Sequence, residues 1–212
     1  RNSLVAREGA SAFKKGSKIY FGTNYGLSVL EENTGEFTNL SMRRLQTDLK
    51  GTKVLAINTD QQNNLWIGTY DGLLGKYTSD LKFIRSYQPC ADNATDMQRN
   101  IFLQKYTENN LLIATHYRNK SLLNFNMKTE TATPLSISIG GNTGTNFRIM
   151  SLRENRKGET LVLLRNDGLY TVNPEKNILE NNLPEINKRI TFPLNDFYYD
   201  SKGYYWLATQ TQ

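Results

Sequence analysis

Two sets of residues recur at matching points of a repeated segment in this 212-residue chain: Asn24, Tyr70, His116 and Asn166, each followed by Tyr25, Asp71, Tyr117 and Asp167. Aromatic faces beside amide and carboxylate groups suit a sugar, which offers apolar C–H faces and hydroxyls. Asn and Asp are also what tight turns require, so the same residues fit a purely structural role. Catalysis has less support. His116 is the only histidine and Cys90 the only cysteine, which leaves no His or thiolate cluster for a metal and no base spaced to activate a nucleophile. Asp71 and Asp167 could form a glycosidase-like carboxylate pair, but acids scattered on turns are the default in any soluble protein. The turns at residues 60–64 and 200–203 lack the spaced oxygen ligands and closing Glu of an EF-hand loop. No catalytic residue, metal site or cofactor is expected.

The elements that must position these residues are copies of one unit. Leu65-Trp66-Ile67-Gly68-Thr69-Tyr70-Asp71-Gly72-Leu73 has counterparts at residues 19–27, 111–117, 161–169 and 204–209. A small residue after the apolar run is placed at Gly22, Gly68 and Ala114, with Leu164 and Ala208 in its place further on, at spacings of 46, 46, 50 and 44. Strand-rich repeats of about 40–50 residues are propeller blades. Each copy reads as a four-stranded meander. Inner strands are expected near residues 11–13, 54–57, 101–103, 148–152 and 196–199, outer strands end near residues 40, 135 and 179, and there is almost no helix. The predicted fold is all-β: a β-propeller of four-stranded antiparallel blades, present as a partial ring of about four complete blades and half of a fifth. The repeats are 10–53, 54–100, 101–146, 147–193 and 194–212. A chain stopping inside a copy is expected to be an excerpt of a longer propeller. Small residues in the second strand let the inner ends of blades converge, while Tyr20, Trp66 and Trp206 are expected to fill the space between blades.

In such a meander the turns between second and third strands share one face with the connections between blades. The eight candidate residues therefore ring one mouth of the central channel. Composition adds limits. No apolar run approaches the roughly 18–20 residues needed to span a bilayer, and the single cysteine excludes an internal disulfide. The net charge of +6 could suggest an anionic partner, but the basic residues are scattered in pairs such as Lys14-Lys15 and Lys188-Arg189, and no nucleic-acid stripe is present.

Residues 64–73, and residues 18–27 after them, resemble the two-component regulator propeller repeat. The third copy lacks the Gly-Leu turn, and the fourth has Leu164-Arg165 where Gly-Thr is expected. The resemblance implies the periplasmic sensor region of a hybrid two-component system, in which this partial ring is an excerpt of a propeller of about seven blades, with an oligosaccharide as ligand, a homodimeric full-length protein, and a membrane span and histidine kinase outside this chain. Two other classes stay open on the residues: a propeller scaffold for protein–protein interaction or dimerisation, and a propeller glycosidase or lyase. The motif residues are packing residues in that family, so function has to be argued from the loops.

Overall fold

The computed structural model describes residues 9–41, 43–44, 47, 53–89, 101–105, 107–115, 122–135, 137–139, 142–144, 148–173, 176 and 178–209. Four antiparallel four-stranded sheets follow one another as blades of a β-propeller. Blade 1 is β1 (Gly9–Lys15), β2 (Lys18–Thr23), β3 (Gly26–Glu31) and β4 (Glu36–Ser41), and blade 2 is β5 (Val54–Thr59), β6 (Leu65–Thr69), β7 (Leu74–Tyr77) and β8 (Phe83–Tyr87). Blade 3 is β9 (Ile101–Lys105), β10 (Asn110–Thr115), β11 (Leu122–Asn126) and β12 (Thr131–Pro134). After the hairpin β13 (Ile137–Ile139) and β14 (Asn142–Gly144), blade 4 is β15 (Ile149–Glu154), β16 (Thr160–Leu164), β17 (Gly168–Asn173) and β18 (Ile178–Glu180). One helical turn, α1 (Pro184–Asn187), precedes the pair β19 (Leu194–Tyr199) and β20 (Tyr205–Thr209), which opens as the other blades do. The hairpin β13–β14 was not expected inside a connection. Its two strands pair from Ile137 with Gly144 to Ile139 with Asn142.

The inner strands β1, β5, β9, β15 and β19 lie in chain order, each beside the next. Blade faces are buried between them. The middle strands β6 and β16 have all five residues buried, because each of their two faces meets a different blade. Tyr20, Leu27 and Val29 of blade 1 pack on Ile57, Leu65 and Ile67 of blade 2. Trp66 and Leu74 meet Leu111, Ile113 and Phe125 of blade 3, Leu112 and Ala114 meet Val162 and Leu164 of blade 4, and Leu161, Leu163 and Leu169 meet Phe197. The convergence expected of the small residues is visible at Gly22. A Cβ there would stand 2.7 Å from Val54 O and 2.8 Å from Val54 Cγ1 in the next blade, so even one methyl group would push blades 1 and 2 apart.

Two expectations need correction. The inner strands of blades 1, 2, 4 and 5 each carry a bulge near their start, and its partner fixes the phase of the repeat. Ser11 faces Gly22, Ala56 faces Gly68, Ser151 faces Leu163 and Asp196 faces Ala208. Leu163, not Leu164, therefore holds the small-residue position in blade 4. Trp206, expected between blades, stands 62% exposed where no described strand follows β20, while Trp66 is fully buried.

A turn device missed in the sequence repeats in blades 2, 4 and 5. Asp60, Asn155 and Asp200 each accept a backbone N–H across the first hairpin, from Asn64 at 2.8 Å, Glu159 at 3.0 Å and Tyr204 at 2.9 Å. Each turn then bends through a left-handed residue, Asn63, Gly158 or Gly203. In blades 2 and 5 the second carboxylate oxygen accepts the indole N–H of the tryptophan six residues on, Trp66 at 3.2 Å and Trp206 at 2.8 Å. Blade 4 has Leu161 at that point and an asparagine in the turn, whose Nδ2 donates to Glu159 at 2.7 Å instead.

Candidate functional site

Antiparallel order places the turns β2–β3, β6–β7 and β16–β17 at the end of the propeller where the inner strands begin. The first turn is built by Thr23, whose Oγ1 accepts the Tyr25 N–H at 3.1 Å and donates to Gly26 O at 2.9 Å. Gly26 has φ +126°, and a Cβ there would collide with Leu40 O, so the turn tolerates only glycine. Tyr25 stands 62% exposed, with Asn24 half-buried.

In the second turn Thr69 Oγ1 accepts the Leu73 N–H at 3.2 Å. Tyr70 and Asp71 are half-buried. The Tyr70 N–H donates to Lys53 O at 2.9 Å, and the Lys53 ammonium lies 5.4 Å from the centre of the Tyr70 ring, a cation–π arrangement.

The third turn is held from outside. Asn187, at the end of α1, accepts the Leu169 N–H with Oδ1 and donates to Leu169 O with Nδ2, both at 2.8 Å, so one amide side chain pairs with the backbone as a strand would. Gly168 has φ +101°, and a Cβ would strike the Asn187 amide. Asn166 and Asp167 are exposed. Burial raises the Tyr170 pKa, with the charge of Asp167 adding to it. Arg165 donates its N–H to Arg148 O at 3.0 Å, as Tyr70 does to Lys53 O. Arg165, rather than Asn166, is thus the counterpart of Tyr70, a consequence of the one-residue phase shift in this blade.

Six of the eight candidate residues therefore lie on one face in three turns. His116 and Tyr117 lie outside the described residues. Lys53, Arg148, Arg165 and Asn187 belong to the same face and were not singled out. The 17-residue separation shared by Lys53–Tyr70 and Arg148–Arg165 was the signal available in the sequence.

A cavity of about 950 Å³ lies between the inner strands, bounded by residues 11–13 and 15 of β1, 55–59 of β5, 150–154 of β15 and 195–196 of β19. At the end opposite the candidate turns, Lys15 Nζ donates to Thr59 Oγ1 at 2.9 Å, tying blade 1 to blade 2. Arg153 bridges to Asp196 at 3.1 Å, tying blade 4 to β19. Among the described residues, no group of three or more His, Cys, Asp or Glu side chains is placed to hold a metal ion.

These features define a β-propeller with the six described candidate residues on one turn face. The model of the two component regulator propeller family matches residues 48–71, a stretch the length of part of one blade. Among solved structures, the chain resembles the extracellular domain of BT3049 from B. thetaiotaomicron, assigned as a hybrid two component system. Identity is 20% and the TM-score 0.69, over 98% of this chain and 26% of that one. The extracellular domain of BT4673 from the same organism, assigned likewise, gives 19% identity and a TM-score of 0.68 over 93% and 25%. The WD40 β-propeller domain of Doa1 gives 12% and 0.64 over 95% and 60%. The chain thus spans about a quarter of the length of the first two, and at these identities the likeness is one of fold. No curated protein matches. Among the described residues no helix is long and apolar enough to cross a membrane.

Proposed function

We propose that this chain is a sensor segment of a hybrid two-component system, lying in the periplasm, which binds an oligosaccharide or similar ligand on its turn face and passes the signal to a histidine kinase outside the chain. One observation carries the reading: the family repeat at residues 48–71 and the likeness to extracellular domains assigned to hybrid two-component systems coincide in one chain. The segment is proposed to be non-enzymatic, to reach the membrane only through a span outside this chain, to bind no nucleic acid, and to act within a homodimer. Tyr25, Tyr70 and the amide and carboxylate groups of Asn24, Asp71, Asn166 and Asp167 supply the contacts, with His116 and Tyr117 as the third-blade counterparts.

The test is a thermal-shift screen of neutral and acidic oligosaccharides, run beside a turnover assay on the parent polysaccharides. A ligand that binds only the folded state raises the melting temperature. A shift with one oligosaccharide and no turnover is the expected result. Turnover would move the protein to the hydrolases or lyases. Equal affinity after Tyr70→Ala and Tyr117→Ala would remove the turn face from the binding site.

A further inference from the structure

We infer that the ligand of this face is acidic, a glycan carrying a carboxylate or a sulfate ester; the inference rests on the reading of the turn face as a ligand surface. The blade repeat creates a station at the mouth of the channel, made of the residue that enters the inner strand and the first residue after the middle strand. A backbone N–H···O bond joins them, from Tyr70 to Lys53 at 2.9 Å and from Arg165 to Arg148 at 3.0 Å. Three of these four side chains are cations, and the fourth is an aromatic ring beneath an ammonium at 5.4 Å. Two carboxylates share these turns, Asp71 and Asp167, so the stations stay net positive.

Two cations of the opposite face are paired locally. Lys14 pairs with Glu32 at 2.7 Å and Lys176 with Glu180 at 3.3 Å. The mouth face holds such a pair too, Lys188 with Glu185 at 2.7 Å, so what sets the stations apart is that they recur with the blade repeat.

Guanidinium groups bind carboxylate and sulfate oxygens through paired N–H donors, more strongly than neutral donors bind hydroxyls. A tyrosine beside them offers a face for the C–H side of a pyranose. Cations spread round a concave mouth also raise the local concentration of an anionic ligand. A neutral sugar uses only the tyrosine and the amides; an acidic one uses every station.

The test is isothermal titration of the chain with trigalacturonate, its fully methyl-esterified form, and a sulfated chondroitin disaccharide, at low and high salt. The acid or the sulfated probe is expected to bind about tenfold tighter than the ester, the scale of one charge-assisted hydrogen bond, and the advantage is expected to shrink with salt. Which of the two binds assigns the anion as carboxylate or sulfate. Lys53→Gln and Arg148→Gln are expected to remove the preference without changing the melting temperature, while Lys176→Gln on the far face leaves it intact. Equal binding of acid and ester overturns the inference and leaves the sensor reading standing. Unchanged affinity in both mouth variants also overturns it. Silence from all three probes, with a neutral oligosaccharide still raising the melting temperature, again ends the inference alone, whereas silence from every sugar ends both. A short DNA duplex binding as tightly as the acidic probe would reassign the stations to phosphate and overturn it.

Discussion

Trp66 and Trp206 occupy the same place in two blades and have opposite fates. Each lies two residues before the small-residue position, each follows an aspartate by six residues, and each donates its indole N–H to that carboxylate. Trp66 is fully buried and Trp206 is 62% exposed. The difference is the neighbour. Trp66 meets the Phe125 ring of blade 3 edge-on at 5.2 Å, has Tyr87 at 5.6 Å, and lies under the Lys76 ammonium. Trp206 shares its side of the β19–β20 pair with Tyr198, also exposed, and no described strand follows it. A blade builds its tryptophan; only the next blade buries it. Stability in this architecture is therefore a sum over neighbouring pairs.

The largest expected break in that comparison is by truncation. Trp66→Ala removes a fully buried ring and leaves a cavity between blades 2 and 3, costing about 3–5 kcal/mol. Trp206→Ala is expected within about 0.5 kcal/mol of the parent, as for an ordinary surface site. Urea unfolding of both variants measures the two. Similar costs would mean that Trp206 is covered in solution by something on its open side.

A second contrast concerns the aspartates. Asp60→Ala strips the turn of its acceptor and leaves the Trp66 N–H buried without a partner, at about 1–3 kcal/mol. Asp200→Ala removes the same bonds where water can replace them, so its loss is expected to be smaller. Equal losses in thermal unfolding would show that the turn, and not the buried indole, dominates.

The propeller was legible because its period is carried by residues that pack: Gly22, Gly68 and Ala114 mark the phase in three blades. Phase was lost in blade 4, where Leu161 to Leu164 are four aliphatic residues without a glycine, and only the bulge opposite Leu163 restores it. That single residue moved the assignment from Arg165 to Asn166. Trp206 was misjudged for a different reason, since its sequence context matches that of Trp66 and burial is a property of the neighbour. Asp60 and Asp200 were read as turn residues alone, because the indole bond needs the hairpin to bring position six back over the carboxylate. The mouth cations sit in connections, where no hydrophobic pattern marks them.

Quenching sharpens the comparison with less perturbation. Acrylamide is expected to reach Trp206 and not Trp66, so Trp206→Phe should leave an emission that is blue-shifted and nearly unquenched. Strong residual quenching in that variant would mean that the interface between blades 2 and 3 opens on its own, against the burial of Trp66 between Phe125 and Tyr87.

The smallest effect is a pH dependence at the exposed pair. The Trp206 indole N–H first, then the backbone N–H groups of Tyr204 and Lys202, hold the Asp200 carboxyl below the usual aspartate range. Because the folded value is depressed, the stability contributed by this turn is complete above the unfolded value of about 4 and is lost as pH falls through the folded one. The difference in emission between the parent and Trp206→Phe isolates Trp206. That difference is expected to hold steady from neutral pH to about 4 and to change only below it, with the transition absent in Asp200→Asn. A midpoint at or above the ordinary aspartate value would show that the indole bond is not formed in solution. The device shared by blades 2 and 5 would then depend on burial by a following blade, as the tryptophan itself does.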